Sequence, residues 1–121
     1  MRLAAFGVAA LAACAAPPAA PSDQVLGELA GRTAGPPKRC VNLEPNESLR
    51  IAGPNAFLYG GGRTVWLNVP PGGCRLRDSD VPVTEPLGQH CRGDLVRSID
   101  RYTKIPGPTC RLGDFVPYTR G

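Results

Sequence analysis

Five cysteines and one histidine are the side chains of this 121-residue sequence best equipped for chemistry, and His90 stands directly beside Cys91. A thiolate–imidazole pair would be a nucleophile. Adjacent residues on an extended chain point to opposite faces, however, and a cysteine held in a disulfide has no thiolate to offer, so this pair reads as structural. A four-thiolate zinc centre draws its ligands from close C-x₂₋₄-C pairs, and Cys40, Cys74, Cys91 and Cys110 contain none. No C-x-x-C is present to lower a thiol pKa. Asp78, Asp80 and Glu85 have the oxygen ligands that calcium prefers. Pro82 and the lack of a calcium-loop pattern make that stretch a solvated acidic loop instead. Arg92-Gly93-Asp94 matches a short adhesion tripeptide but reads as a turn leading into a strand. Glycine-rich phosphate loops, G-x-S-x-G elbows and H-E-x-x-H helices are missing from the sequence. The reading is therefore non-enzymatic, with no cofactor and no metal.

Cys14 is different. Leu11-Ala12-Ala13-Cys14 closes an apolar stretch from Leu3 to Ala13 that follows Arg2, the order of a secretory signal. The stretch falls short of the roughly 20 apolar residues needed to span a bilayer. The tetrapeptide resembles the bacterial lipobox, which implies diacylglycerol on the Cys14 thiol, removal of residues 1–13 and attachment to a membrane through N-terminal lipid. Cleavage of a plain signal after Ala16 or Ala20 is the alternative, and both export the chain. Ala15, where an inner-membrane retention signal would place aspartate, implies the periplasmic face of the outer membrane.

With Cys14 set aside, four cysteines remain, which in an oxidising compartment predicts two disulfides. Of three pairings the nested one is expected, Cys40 with Cys110 and Cys74 with Cys91, because Cys74 and Cys91 bracket an irregular segment between two strands. Residues 14–39 are rich in Ala, Pro and Gly and read as a lipidated tether. Ser22 is able to cap a short helix within it, through Val25, Leu26 and Leu29. The folded unit is expected over 40–121, a length at which one core benefits from cross-links.

The elements of that unit read as strands. Thr64 to Val69 alternates, with Val65, Leu67 and Val69 on one face and Thr64, Trp66 and Asn68 on the other. Ala56-Phe57-Leu58-Tyr59 is its hairpin partner across Gly60-Gly61-Gly62. Ser48 to Ile51, Leu95 to Ile99 and Phe115 to Tyr118 complete about five strands, and Pro70-Pro71-Gly72-Gly73 and Ile105-Pro106-Gly107-Pro108 are turns. The fold class is all-β, a small antiparallel barrel or open sheet. The net charge of +4 is scattered, without the basic runs of a nucleic-acid platform.

Trp66-Leu67-Asn68, Gly73-Cys74-Arg75-Leu76, Cys91-Arg92-Gly93-Asp94 and the run from Cys110 to Tyr118 together resemble a family of small Gram-negative envelope proteins. Its members join a signal or lipobox to one cysteine-containing β-rich domain, and the family brings no activity to carry over. Two functions are compatible with this chemistry. One is a binding or scaffolding lipoprotein that meets an envelope protein or glycan through Tyr59, Trp66 and Asn68, an aromatic surface with polar neighbours. For Trp66 itself the favoured reading is structural, as core plugging an open barrel end. The other is an inhibitor or sensor of an envelope hydrolase, using Ile105 to Pro108 held by Cys110.

Overall fold

The computed structural model describes residues 22–121, so Cys14 and the signal segment before it lie outside the described residues. One helix, α1 (Asp23–Leu29), precedes ten strands: β1 (Arg32–Ala34), β2 (Cys40–Asn42), β3 (Arg50–Ile51), β4 (Phe57–Tyr59), β5 (Thr64–Asn68), β6 (Asp80–Val83), β7 (Gln89–Cys91), β8 (Leu95–Asp100), β9 (Cys110–Arg111) and β10 (Phe115–Arg120). All pairings are antiparallel. They form an open five-stranded sheet in the order β1-β10-β5-β4-β3, a two-stranded ribbon β2-β7 and a three-stranded sheet β6-β8-β9.

The β4–β5 hairpin turns on glycine. Gly60 has φ +83°, and a Cβ there would lie 3.2 Å from the Thr64 carbonyl oxygen. Beyond the turn, the alternation of β5 gives the sheet two apolar faces. Val65 and half-buried Leu67 join Val25, Leu29, Ala52, Ala56 and Leu58 in a small cluster roofed by α1. The opposite face carries Trp66 with buried Phe57, Tyr59 and Phe115 into the larger cluster, where Val41, Leu76, Val96 and Leu112 meet them. The expected Val65–Leu67–Val69 face is thus buried only in part, because the seven-residue α1 does not reach past Leu67. Val69, beyond the end of β5, is 56% exposed.

Part of the expected tether belongs to the fold. Ser22 caps α1, its Oγ accepting from Val25 N–H at 3.2 Å and donating to the Ala52 carbonyl at 3.0 Å, which satisfies an orphan helix-end donor. β1 pairs with β10, Arg32 opposite Arg120 and Ala34 opposite Tyr118. β10 runs to Arg120 rather than Tyr118, and the longer edge is what recruits residues 32–34. The Arg32 guanidinium reinforces the contact by donating to the carbonyls of Gly62 and Arg63 at 2.7 and 2.8 Å. Residues 22–34, expected in the tether, therefore pack as part of the fold.

The disulfides are Cys40–Cys91 and Cys74–Cys110, which corrects the nested pairing. The segment from Arg75 to His90 is not an irregular connection: it contains β6 and most of β7. β7 carries Cys91 away to face Cys40 directly across the ribbon. β9 sets Cys110 opposite Val96, where it meets Cys74 inside the larger cluster. β6 tolerates Pro82 because its only ladder is with β8, leaving an edge that needs no N–H.

Peptide mapping of unreduced protein should recover Cys40 with Cys91 and Cys74 with Cys110, and no Cys40–Cys110 peptide. Replacing Cys74 and Cys110 together by Ser should cost about 4 kcal/mol in the chain-entropy model. Within β5 and just beyond it, Val65→Ala should cost about 1–3 kcal/mol by cavity formation, while Val69→Ala should stay within about 0.5 kcal/mol. Denaturant titration reads both.

Candidate functional site

The three residues expected to share a binding surface do not share a role. Asn68 is fully buried. Its Nδ2 donates to the Gly113 carbonyl at 2.8 Å and its Oδ1 accepts from Gly113 N–H at 2.8 Å, so the side chain clasps both backbone polar groups of one residue in the β9–β10 connection, as a strand would. Glycine is required there, since a Cβ on residue 113 would lie 2.7 Å from the Val69 carbonyl oxygen. Tyr59 is buried as well, and its hydroxyl accepts from Glu44 N–H at 2.8 Å and donates to the Asn42 carbonyl at 3.2 Å. Both residues are internal ties, because each satisfies its polar atoms within the fold.

Trp66 alone keeps a half-open face. It lies in a groove of about 660 Å³ between the β2-β7 ribbon and the turn end of the β4–β5 hairpin. Lys38 Nζ stands 5.7 Å from the centre of its ring. The Lys38 backbone is fixed, with N–H donating to the Phe115 carbonyl at 2.7 Å and C=O accepting from Phe115 N–H at 2.8 Å. On the ribbon wall Gln89 Nε2 donates to Asn42 Oδ1 at 3.0 Å, which leaves the Asn42 amide N–H₂ and the Gln89 carbonyl oxygen for a ligand. Glu44, Glu47 and Arg63 line the same groove, so charges of both signs face an aromatic surface.

The other candidates have structural explanations. His90 is buried and meets the Tyr59 ring edge-on at 5.4 Å, while Cys91 beside it is oxidised. Burial pushes the His90 pKa below its ordinary value, opposed by the nearby Asp94 carboxylate. Arg92-Gly93-Asp94 is a turn: Gly93 has φ +88°, Asp94 Oδ2 accepts from Cys91 N–H at 2.8 Å and Arg92 pairs with Asp114 at 3.1 Å. Asp80 is buried rather than solvated, its Oδ2 accepting from Arg77 N–H at 2.8 Å, whereas Asp78 and Glu85 are exposed. Among the described residues no three His, Cys, Asp or Glu side chains converge to hold a metal ion. Of the Ile105–Pro108 loop, Gly107 and Pro108 are tied to Ser98 at 2.9 and 2.6 Å, leaving only Ile105 and Pro106 exposed.

Lys38, Asn42 and Gln89 were not singled out from the sequence. Their signal is weak: Asn42 and Gln89 face each other only because Cys40 and Cys91 fix the ribbon register two residues away.

The depressed His90 pKa has a definite consequence for stability. The unfolded chain takes up the proton near pH 6.5 while the folded chain resists it, so the contribution is fully present above that pH. It declines as pH falls from there to the lower folded value. Denaturation midpoints of His90→Phe, which keeps a ring against Tyr59, should show a shallower fall across this window than the unaltered protein.

No protein-family model, no curated protein and no solved structure matches this chain.

Proposed function

We propose that this chain is a non-catalytic, lipid-anchored module of a Gram-negative envelope that binds the envelope glycan in the groove floored by Trp66. The observation that carries the reading is the half-open Trp66 ring set between free amide groups and charges of both signs. An indole face accepts the apolar face of a sugar ring. The Asn42 N–H₂ and Gln89 carbonyl match the acceptor and donor of an acetamido group. Lys38 and Arg63 face carboxylates, and Glu44 and Glu47 face amines, as a short peptide attached to the sugar would require. The groove is lined mainly by polar and charged groups around the Trp66 platform, and placed polar groups are what orient a small ligand.

The compartment is part of the same proposal. Two disulfides belong to an oxidising environment, and Leu11-Ala12-Ala13-Cys14 supplies the acylation site that would hold the protein on the periplasmic face of the outer membrane. A mature lipoprotein carrying several acyl chains stays anchored, whereas one chain gives marginal binding. Cys14→Ser should abolish fatty-acid labelling and move the protein from the membrane fraction to the soluble fraction of its host. Labelling that persists in that variant rules out Cys14 as the site.

Binding is checked by calorimetric titration with disaccharide-peptide fragments released from peptidoglycan. Trp66→Ala and Gln89→Ala should each weaken affinity about tenfold or more, roughly 1.4 kcal/mol, while Trp66→Phe retains most of it. Gln89 lies on the exposed face of the ribbon, so its variant separates lost binding from lost folding. Equal affinity across all four proteins would refute the groove.

A further inference from the structure

Among the described residues, most of the large apolar side chains left in water stand at the two ends of one β-ribbon. β6 and β8 pair from Asp80 opposite Asp100 to Val83 opposite Arg97. At the Asp100 end the chain makes a tight tip in which Tyr102 is 80% and Ile105 60% exposed. At the Arg97 end lies a cavity of about 390 Å³, lined by Val83, Leu87 and Leu95, with Leu87 98% exposed. Single exposed apolar residues need no explanation, but grouped ones mark contact sites.

The tip is pre-organised. Asp100 Oδ1 accepts from the Tyr102 and Thr103 N–H groups at 2.9 Å each, and its Oδ2 accepts from Ser79 Oγ at 2.7 Å. The Asp100 carbonyl accepts from Lys104 N–H at 2.9 Å, and Asp100 N–H donates to the Ile105 carbonyl at 2.9 Å. The Ser79 hydroxyl, then the Thr103 and Tyr102 N–H groups, hold the Asp100 carboxyl well below the usual carboxylate range, so the turn keeps its charge at neutral pH. A loop this fully bonded loses little conformational freedom on docking. It presents Tyr102 and Ile105 alongside the exposed cations Arg101 and Lys104. The cavity at the other end presents apolar walls with the carboxylates Glu85 and Asp94, and one cation, Arg97, in its lining.

We propose that the occupant of this cavity is the tip of a second copy of the chain, so that molecules associate head to tail along the β6–β8 direction. The two surfaces match in polarity and in charge. Because they lie at opposite ends of one ribbon, a molecule does not satisfy its own cavity, and a contact between unlike surfaces leaves a free tip at one end of the pair and a free cavity at the other. The assembly is therefore open-ended. One loop in one cavity is smaller than the roughly 1,000 Å² expected of a stable interface, so association in solution is weak. Confinement to a membrane would raise the effective concentration. Gln89 lines both spaces but Trp66 only the groove, so Trp66 variants make loss of groove binding and loss of this contact separate results.

Sedimentation equilibrium on the full chain carrying Cys14→Ser tests the assembly. Its weight-average mass should climb above the 12.7 kDa of the monomer between about 10 μM and 1 mM, the range of weak contacts, without a plateau at the dimer. A tip variant, Tyr102→Ser with Ile105→Ser, and a cavity variant, Leu87→Ser with Leu95→Ser, should each be monomeric alone and form a one-to-one pair when mixed. Arg101→Glu with Lys104→Glu, which reverses both tip cations and removes the Lys104 Nζ bond to the Arg101 carbonyl, should abolish association as the tip serines do. Retention of both disulfides shows that each variant is folded. A monomer at every concentration overturns the proposal, as does either variant associating like its parent, or a mixture that fails to pair.

Discussion

The Cys74–Cys110 cross-link is the constraint on which the rest of this structure depends. Among the described residues no strand exceeds six residues, and the apolar side chains divide into two clusters on opposite faces of one sheet. Neither cluster is large, and short strands gain little from their own ladders. The bond lies inside the larger cluster, where it joins the segment after β5 to β9 and so draws the β6-β8-β9 sheet onto the five-stranded one. The Asn68 clasp on Gly113 then fixes the start of β10 beside the end of β5. From that point β10 runs between β5 and β1, and α1 is held over the far face through Ser22 and Val25.

The second disulfide has a more local task. The β2-β7 ribbon joins neither larger sheet by a ladder. It is held by Cys40–Cys91 across its strands and by the Tyr59 hydroxyl, which bonds to the backbone of Asn42 and Glu44 just past β2. Packing of His90 on Tyr59 closes the same joint. The groove beside Trp66 exists because this ribbon stands off the sheet while remaining tied to it. Thus the residues that looked suited to chemistry in the sequence, His90 and Cys91, position one wall of the groove, whose proposed ligand groups are Trp66, Lys38, Asn42 and Gln89.

Much of the β character was legible because β5 alternates and glycine and proline mark its ends. The class, the antiparallel hairpin and the two cross-links all follow from such local features. What was not legible depends on partners distant in sequence. β1, β2, β6, β7 and β9 are two to four residues long, too short for periodicity to register, and Pro82 disguised β6. The disulfide pairing failed because it rested on treating residues 75–90 as one loop. Asn68 looked like a surface residue because its burial depends on Gly113, 45 residues away, which no local pattern reveals. Tyr59 was misplaced for a similar reason: its hydroxyl partners lie on β2 and the turn beyond it. Trp66 had two readings, a core residue and a half-exposed binding aromatic, and it combines them, packing against the larger cluster while lining the groove, because the sheet is covered on both faces rather than one.

The central claim is that the space between the ribbon and Trp66 is a ligand site. Amide and indole chemical shifts of isotope-labelled protein, followed while disaccharide-peptide fragments of peptidoglycan are added, test it most directly. The account predicts progressive shifts confined to the Trp66 indole N–H, the Asn42 and Gln89 side-chain amides and the Gly60 and Gly61 backbone. Shifts centred elsewhere, or none at millimolar ligand, would contradict it.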